Sequence, residues 1–279
     1  MLDYRNALEI KYSDDGSFTD YKAEGLDFTR DDFTIEMVAD EDYIYIGYYK
    51  PINSIYVAMT TANENSGDLT VSYYNGTEFT AISEQFDQTE CFTRDGFITW
   101  ERNIEDEDET TIDSLEKYWY RISISADSSE IVFRAINILF SDDQALKVKF
   151  NKVLDSKYLD GETTYNKLHQ AARDEITEAM KRSYVKIDNS STTKVMESIS
   201  PWDFLDIYEV KEAATYLVLS MIFFGFSDDP DDIYMEKSKK FEGKYQHMLN
   251  ASRLSIDEND DGKSTDDNLD TKRNKFMSR

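Results

Sequence analysis

A run of acidic residues near the C-terminus has the spacing of a calcium-binding loop. Residues 257–262, DENDDG, match the opening D-x-[DN]-x-[DN]-G of an EF-hand loop, whose oxygen ligands suit Ca²⁺. The twelfth position, where the motif needs a bidentate glutamate, is Asn268, and the eighth position, normally apolar, is Ser264. No convincing helical pattern follows the loop. We therefore expect no metal site here.

The residue types most often used in catalysis lack their usual partners. His169 and His247 each fall in a helical pattern without a second His or a Cys at ligand spacing, so we expect both on the surface. Cys91, the single cysteine, has no nucleophile signature around it. The sequence has no glycine-rich phosphate loop, no G-x-S-x-G and no H-E-x-x-H. Carboxylates are so numerous that no pair is informative. We predict that the chain is not an enzyme and has no catalytic, cofactor-binding or metal-binding residues.

Aromatic residues cluster between residues 43 and 79, and they suggest a sugar-binding surface. Aromatic ring faces pair well with the apolar faces of sugar rings. In a strand, however, alternate side chains point to opposite sides. We favour the interpretation that alternate members lie in the core and the others lie at an interface or an edge. The cluster comprises Tyr43, Tyr45, Tyr48, Tyr49, Tyr73, Tyr74 and Phe79.

From Phe33 to Phe140 apolar residues recur at every second position, as they do in half-buried strands. No helical pattern lies between these segments, so we predict an antiparallel, jelly-roll-like β-sandwich over residues 33–141. Asn75-Gly76 predicts a two-residue type I′ hairpin. Residues 1–32 are poorly periodic and are expected to form an extended arm or loose strands. The alternating segments are Phe33–Met37, Ile55–Met59, Leu69–Tyr73 and Tyr118–Ile124, and the denser Tyr43–Gly47 and Ile131–Phe140 suit central strands.

Helical spacing replaces the strand pattern after Ser141-Asp142-Asp143, and we predict an α-helical bundle over residues 142–254. Residues 144–158 fit either a short helix or an extended connector. A helix is expected to start near residues 160–163, because the apolar stripe of residues 165–179 follows. Its stripe is Tyr165, Leu168, Ala172, Ile176 and Ala179.

The segment Glu209 to Phe226 is apolar almost all the way round from Ala213 onward, which predicts a helix buried on every side. A turn at residues 225–228 leads into a second helix, with Asp228 or Asp229 as its N-cap and Pro230 in its first turn. The stripe of this second helix is Tyr234, Phe241, Tyr245 and Met248. The predicted core of the helical domain is Leu217, Leu219, Ile222, Phe223, Phe241 and Tyr245.

The last segment, residues 255–279, is too polar to pack on its own and is predicted to be a flexible arm. Its acidic part comes first and its end is basic, with one aromatic residue. We expect the end to become ordered on a partner with an acidic surface. The residues expected to make this contact are Lys272, Arg273, Lys275, Phe276 and Arg279.

Composition restricts the classes of function. The chain of 279 residues suggests about two domains. Its 57 acidic and 31 basic residues give a net charge of −26, which argues against a sequence-specific DNA-binding protein because phosphate affinity comes from Lys and Arg. One cysteine allows no internal disulfide. The first residues lack the basic and apolar regions of a secretory signal, and the longest apolar run is shorter than the roughly 20 residues of a membrane span.

Two stretches resemble parts of known virion proteins. Ala213–Asn250 resembles the helical core of tailed-bacteriophage head–tail connector proteins, the adaptor or head-completion family. In that family an apolar helix is followed by an Asp/Pro turn and a long helix rich in Lys, Glu and Tyr. Residues 43–82 and 91–102 look like a β-sandwich module of phage virion proteins, although Phe79 stands where a Trp often lies in that module.

The resemblance implies a structural protein of α+β fold that forms a dodecameric ring below the portal, in the neck of the virion, after assembly in the host cytoplasm. It implies contacts with the portal, with tail or nozzle proteins, and with fibres or capsid through the β-sandwich, and it implies no membrane. DNA would pass without sequence-specific binding, since like charges repel. The basic end of the arm would contact the portal or the adjacent subunit.

Two alternatives remain open. One is a glycan-binding decoration or fibre-associated virion protein, in which the aromatic residues of the β-sandwich are the functional part. The other is a hydrolase that acts through an unrecognised carboxylate pair, for which no candidate residues stand out.

Overall fold

The computed structural model describes residues 8–101, 106–159, 163–183, 186–187, 196–197, 199–255 and 271–273. Within these ranges the fold is mixed α+β, with antiparallel sheets and several helices. The chain divides into two compact units, Met1–Ile138 and Leu139–Arg279. Strands dominate the first unit and helices dominate the second.

The first unit contains β1 (Glu9–Asp14), β2 (Ser17–Asp20), α1 (Lys22–Gly25), β3 (Phe33–Ile35), β4 (Tyr43–Tyr48), β5 (Ser54–Thr61), β6 (Leu69–Tyr74), β7 (Phe79–Ala81), β8 (Gln85–Asp87), β9 (Gly96–Trp100), β10 (Thr110–Ile112), β11 (Leu115–Ile124) and β12 (Ile131–Asn137). The second unit contains α2 (Asp143–Lys149), α3 (Ser156–Leu159), α4 (Asn166–Ser183), β13 (Lys186–Ile187), β14 (Met196–Glu197), a 3₁₀ turn (Pro201–Asp203), α5 (Tyr208–Gly225), α6 (Ile233–Ala251), β15 (Arg253–Ser255) and β16 (Thr271–Arg273).

Two antiparallel sheets make up the first unit. One has the order β2-β1-β4-β11-β6-β7, with β10 paired to β11, and the other has the order β3-β12-β5-β9-β8. Both dense apolar segments of the sequence form interior strands, because β4 lies between β1 and β11 and β12 lies between β3 and β5. In β4 the side chains of Ile44, Ile46 and Tyr48 are fully buried on one face of the sheet.

Of the two alternatives for residues 1–32, an extended arm or loose strands, the described part forms strands, and these are paired within the sheet. Strand β1 pairs with β2 on one side and with β4 on the other. A two-residue turn, Asp15-Gly16, joins β1 to β2, and both residues have positive φ angles of 43° and 83°. Asp-Gly is a strong signal for this turn. The hairpin buries Leu8 and Ile10 completely, so burial of apolar side chains holds this segment in the sheet.

The hairpin at Asn75-Gly76 forms, but not as a type I′ turn. Tyr74 pairs with Phe79, so four residues make the connection, and only Gly76 has a positive φ, at 89°. The Asn75 side chain accepts hydrogen bonds from the backbone N–H groups of Thr77 and Glu78, at 3.0 and 2.9 Å. This local capping favours the longer loop over the two-residue turn.

Aromatic side chains connect the two sheets of the first unit. Trp100 of β9 and Tyr120 of β11 have ring centroids 5.0 Å apart. Both side chains also bind the backbone of Ile52. The Trp100 indole N–H donates to the Ile52 carbonyl at 3.0 Å, and the Ile52 backbone N–H donates to the Tyr120 hydroxyl at 3.0 Å. The two large rings are therefore hydrogen-bonded where they are buried, as buried Tyr and Trp require.

Helix α5 is the most buried element of the second unit and contacts α2, α4 and α6. Its apolar character all round agrees with this position, since each side meets another element. Among the predicted core residues, Phe241 is only half-buried, and its ring stacks on that of Phe223 at 5.6 Å. The buried members are Leu217, Leu219, Ile222, Phe223 and Tyr245.

The connection between α5 and α6 is longer than the sequence pattern indicated. Helix α6 begins at Ile233, and its N-cap is Asp232, not Asp228 or Asp229. The Asp232 carboxylate accepts from the backbone N–H of Met235 at 2.7 Å and from that of Asp228 at 3.0 Å. One carboxylate thus caps the helix and closes the loop, which leaves Pro230 before the helix.

The buried face of α4 is offset from the predicted stripe. Tyr165, Ala172 and Ile176 are buried as expected, whereas Leu168 and Ala179 are half-buried. Their places on the buried face are taken by side chains with polar groups or sulfur, namely His169, Arg173, Thr177 and Met180. The expected helix start at residues 160–162 lies outside the described residues.

Part of the predicted arm pairs with the helical unit. Strand β16, which contains Lys272 and Arg273, is antiparallel to β15, with Leu254 opposite Lys272. Leu254 is fully buried. The expectation of an unpaired arm is therefore wrong for residues 271–273, since their backbone groups find partners in β15. Lys275, Phe276 and Arg279 lie outside the described residues, as does the calcium-like loop at 257–262.

Candidate functional site

The aromatic residues of the first unit separate onto the two faces of the larger sheet. Tyr48 and Tyr73 point into the core, where they are 0% and 6% exposed. The opposite face, which we call the aromatic face, carries six rings and one arginine. Strand order brings them together, because β4, β11, β6 and β7 are successive neighbours in this part of the sheet. Its members are Phe18, Tyr43, Tyr45, Tyr74, Phe79, Trp119 and Arg121.

Tyr45 is the centre of the aromatic face. Its ring makes edge-on contacts with Phe18 at 5.7 Å and with Phe79 at 5.5 Å between centroids. It also meets Tyr43 at 6.1 Å and Trp119 at 6.5 Å. Edge-on geometry is the preferred arrangement of aromatic pairs, so the cluster is held in place by its own contacts. Phe18 is 39% exposed, which leaves apolar ring surface at the solvent.

Arg121 lies directly across the strand pair from Tyr45 and stacks on two of the rings. Its Cζ is 4.6 Å from the centroid of Tyr43 and 5.0 Å from that of Phe79. Its Nε is buried and has no hydrogen-bond partner in the described part of the chain. Burial raises the pKa of Tyr45, and the charge of Arg121 and its hydrogen bond with the phenol oppose that rise.

Lys11 is the second cation on this face and has a different environment. It is 4% exposed, and its Nζ lies 3.0 Å from Asp20 and 2.8 Å from Asp113. Burial disfavours its charge, but the hydrogen bonds to Asp113 and Asp20 outweigh burial, so the pKa of Lys11 is raised. Lys11 therefore stays charged and fully neutralised by this chain, whereas no described carboxylate pairs with Arg121.

The contact between α5 and α6 includes a reciprocal pair of serines. Ser220 Oγ donates to the Ser238 carbonyl at 3.1 Å, and Ser238 Oγ donates to the Ser220 carbonyl at 3.0 Å. Small side chains allow close approach of the two helices. Lys237 and Lys244 extend over the aromatic rings beside this contact, with Lys237 Nζ 5.1 Å from the Phe223 centroid and Lys244 Nζ 4.9 Å from that of Tyr216.

Two large apolar side chains are exposed next to the α5–α6 connection. Phe224, at the end of α5, and Ile233, at the start of α6, are each 62% exposed. Val148 on α2 is 82% exposed. Phe224 and Ile233 therefore present apolar surface at the connection between α5 and α6, and exposed apolar surface of this kind often marks an interaction site.

A buried serine, histidine and aspartate form a hydrogen-bonded chain in the second unit. Ser141 Oγ lies 2.7 Å from His169 Nδ1, and His169 Nε2 lies 3.1 Å from Asp143 Oδ1. The prediction that His169 is on the surface is wrong, because its exposure is 0%; His247 is exposed. Ser141 is also 0% exposed, so a substrate carbonyl does not reach its hydroxyl in this conformation. The chain satisfies polar groups that α4 buries.

Cys91 lies in an unusual turn. Glu90, Cys91 and Phe92 have φ angles of 51°, 59° and 63°, so three successive residues other than glycine are left-handed. The Asp87 carboxylate accepts from the Cys91 N–H at 2.7 Å, and Asn63 donates to the Cys91 carbonyl at 3.0 Å. Burial raises the pKa of the Cys91 thiol to about 11. The thiol is thus unreactive as a nucleophile.

The described residues contain no cluster of three or more His, Cys, Asp or Glu side chains that could hold a metal ion. Within the same ranges, no helix has both the length and the apolar content that crossing a membrane requires.

No protein-family model and no curated protein matches the chain. Among solved structures it is similar to a family 89 glycoside hydrolase from Clostridium perfringens in complex with GlcNAc-α-1,4-galactose, at 13% identity, a TM-score of 0.29, and coverage of 65% of this chain and 20% of that one. The same family 89 enzyme in complex with PUGNAc gives the same values. Its complex with 2-acetamido-1,2-dideoxynojirmycin gives 14% identity, a TM-score of 0.27, and coverage of 63% and 20%.

The chain spans about a fifth of the length of these hydrolases. The prediction that the chain is not an enzyme is contradicted here, because the structures that it matches are enzymes, and we withdraw that exclusion. At TM-scores of 0.27 to 0.29 the similarity assigns no reaction, substrate or active site to this chain.

Proposed function

We propose that the chain is a structural protein of a tailed-bacteriophage virion that forms a head–tail connector ring between the portal and the tail. The observation that carries this proposal is the hairpin of α5 and α6. In it, a helix buried on every side packs on a long Lys-, Glu- and Tyr-rich helix through Ser220 and Ser238. This is the helical arrangement that the resemblance of residues 213–250 to connector proteins leads us to expect.

The proposal includes a finer description of the fold. We propose that the two sheets of the first unit form a jelly-roll-like sandwich, supported by the ring contact of Trp100 and Tyr120 between the sheets. We also propose that α2, α4, α5 and α6 form a helical bundle around α5, supported by the contacts of α5 with the other three helices.

A ring requires each subunit to bury surface against its neighbour. Phe224 and Ile233 supply exposed apolar surface at the α5–α6 connection, and we assign this surface to the adjacent copy. The arm places a second contact in the same unit, at the opposite end of α6, because β15 follows the last turn of α6 and pairs with β16. The basic residues after β16 would then meet the portal or the adjacent subunit.

Charge is distributed unequally between the units. The unit Met1–Ile138 has 30 acidic and 10 basic residues, and the unit Leu139–Arg279 has 27 acidic and 21 basic residues. Their net charges are −20 and −6. Negative charge in both units is compatible with DNA passing through a ring without being retained, since affinity for phosphate comes from Lys and Arg. In the virion the ring would lie at the neck, in contact with portal and tail or nozzle proteins.

A second candidate function concerns the first unit and is favoured by the aromatic face. Exposed ring surface next to charged side chains is suited to a sugar, whose ring has apolar C–H faces and polar hydroxyl edges. In this alternative the chain is a decoration or fibre-associated virion protein that binds glycans. The two candidates involve different units and can be tested separately.

The connector proposal is tested by co-expressing the chain with the portal protein of the virus that encodes it and imaging the purified complex. We expect a closed ring of this chain on the portal. The double variant Phe224→Asp with Ile233→Asp should form no ring, because two charges would be placed in the subunit contact. Val148→Asp is the matched control and should assemble normally. A wild-type chain that stays monomeric beside the portal would contradict the proposal.

A further inference from the structure

The two cations of the aromatic face differ in how this chain neutralises them. Lys11 has two carboxylates of its own, Asp20 and Asp113. Arg121 has aromatic contacts to Tyr43 and Phe79 and no ion pair within the described residues. This is unexpected for a half-buried cation in a unit with 30 acidic and 10 basic residues. The rings of Tyr43 and Phe79 hold Arg121 in place and leave its charge without a carboxylate partner among the described residues.

Stacking leaves the hydrogen-bonding edge of a guanidinium group free. Aromatic rings contact the flat faces of the group, while its N–H donors lie in its plane and form a fork that matches a carboxylate. Tyr43 and Phe79 therefore orient Arg121 and, apart from its hydrogen bond with the Tyr45 phenol, leave its donors to an acceptor. Nε is buried, so an incoming group would meet the terminal nitrogens.

The rest of the face suits a sugar ring better than a peptide. The strands β4, β11 and β6 are paired on both sides, so their backbone groups are used within the sheet and are not available to a peptide backbone. The aromatic face has accessible ring surface on Phe18, which is exposed, and on Tyr43 and Phe79, which are half-buried. Asp20 and Asp113, held by Lys11, add acceptors for hydroxyl groups.

We propose that the aromatic face binds a carboxylate-bearing sugar, whose ring stacks on the exposed aromatic rings and whose carboxylate pairs with Arg121. This inference rests on the second candidate function, glycan binding by the first unit, and adds the chemical class of the ligand and the residue that selects it. A charge-assisted, two-point hydrogen bond to Arg121 would separate acidic sugars from neutral ones. The net charge of −20 opposes the approach of an anion, so a surface that presents many copies of the ligand is the suitable probe.

The test measures binding of the full chain to surfaces that each carry many copies of one glycan. The glycans form two pairs, each with an acidic and a neutral member. The pairs are 3′-sialyllactose with lactose, and trigalacturonic acid with galactotriose. We expect the chain to bind an acidic member at least about tenfold more tightly than its neutral counterpart, which corresponds to the net gain from one charge-assisted contact. Arg121→Gln should abolish this preference, and Arg121→Lys should restore only part of it, because Lys keeps the charge and lacks the fork.

Two further variants separate the two parts of the site. Phe79→Ala should weaken binding of acidic and neutral glycans alike, because it removes stacking surface. Arg134→Gln is the matched control, because Arg134 lies in the other sheet and pairs with Asp31 at 3.5 Å. This variant should bind glycans as the wild type does. Thermal melting of each variant checks that the fold is kept.

Three outcomes would overturn the inference, and they differ in what they leave standing. Equal binding of acidic and neutral glycans, or binding unaffected by Arg121→Gln, removes the charge selection and leaves glycan binding. No binding to any of the four glycans removes both. If Arg121→Gln instead alters self-association, measured by sedimentation, the face is a protein interface. None of these results bears on the connector ring, which depends on the second unit.

Discussion

Gly47 and Trp119 occupy directly opposite positions on β4 and β11, and the indole ring lies over the glycine. A Cβ on residue 47 would be 2.6 Å from two of the Trp119 ring carbons. The absence of a side chain at position 47 is therefore what allows Trp119 to lie flat against the sheet, at 1% exposure, with its N–H donating to the Leu115 carbonyl at 3.1 Å.

Gly47→Ala should destabilise the first unit. The methyl group would displace a large buried ring, and overpacking of this kind costs about 1–3 kcal/mol. Chemical denaturation followed by tryptophan fluorescence measures the free energy of unfolding. Gly243→Ala is the control, since a Cβ there has no atom within 4 Å, and in the interior of α6 alanine should stabilise by roughly 0.5–1 kcal/mol. A neutral effect of Gly47→Ala would contradict the packing described.

Leu217→Ala should be costly because Leu217 is 4% exposed within α5. Loss of a buried leucine side chain lowers the free energy of unfolding by about 2–5 kcal/mol when the surroundings do not collapse into the space. Val148→Ala, at a residue that is 82% exposed, should change it by less than about 0.5 kcal/mol. Equal effects of the two substitutions in urea denaturation would show that α5 is not buried as described.

The Cys91 thiol should react slowly with alkylating reagents in the native protein. Burial raises its pKa to about 11. At pH 8 the reactive thiolate then falls from about a quarter of the molecules, for an ordinary thiol, to about a thousandth. Labelling with iodoacetamide, followed by mass spectrometry, should be fast only after unfolding in guanidinium. Rapid labelling of the folded protein would be inconsistent with this environment.

Stability should fall at alkaline pH, in part through Tyr165. Burial, the charge of Asp143 and the neighbouring Tyr158 raise the pKa of Tyr165 to about 12, from about 10 in an unfolded chain. Between these values the unfolded chain releases the proton first, so this contribution is complete below pH 10 and is lost as the pH rises towards 12.

Tyr165→Phe tests this contribution. The phenol donates to the carbonyls of Tyr158 at 2.6 Å and Val153 at 3.1 Å, so its removal should cost about 0.5–1.5 kcal/mol at pH 7. The variant should lose less stability than the wild type between pH 9 and pH 11, measured by denaturation at each pH. Identical pH dependence in both proteins would show that Tyr165 does not contribute.

Deletion of residues 256–279 should leave the helical unit folded and weaken assembly. It removes the partner strand of β15 but none of the buried residues of α5. Thermal melting and imaging of the chain with its portal measure the two effects. Normal assembly of the shortened chain would exclude a role of the arm in the ring, and loss of folding would show that β16 is needed for the helical unit.

Much of the fold follows from local patterns in the sequence. The alternation around Ile55 and Val57 predicts β5, and the apolar run around Leu219 predicts the buried helix α5. These patterns depend on which side of an element is buried, and that information is local. The Asp15-Gly16 signal for the first hairpin is also present in the sequence, but Lys11 and several acidic residues in the strands on either side obscure their apolar alternation.

The candidate site depends on information that is not local. Tyr45 and Arg121 are far apart in the chain and meet only because β4 and β11 are neighbours in the sheet, which no periodicity reveals. His169 is the opposite case, since it lies four residues after Tyr165, within the apolar stripe of α4. Its burial follows from that spacing, whereas the hydrogen bonds that His169 forms with Ser141 and Asp143, which satisfy the buried ring nitrogens, do not.

The left-handed turn at residues 90–92 sets a condition on sequence variation among relatives of this protein. Valine and isoleucine are strongly disfavoured at a positive φ, whereas Gly, Asn and Asp adopt it at little cost. Glu90 and Cys91 have φ angles of 51° and 59°, so relatives should carry Gly, Asn or Asp at these positions more often than β-branched residues. Phe92 is fully buried, so the loss of its apolar ring disfavours the same replacements at this position. An alignment of divergent relatives would thus carry a record of this turn even where the cysteine itself has been replaced.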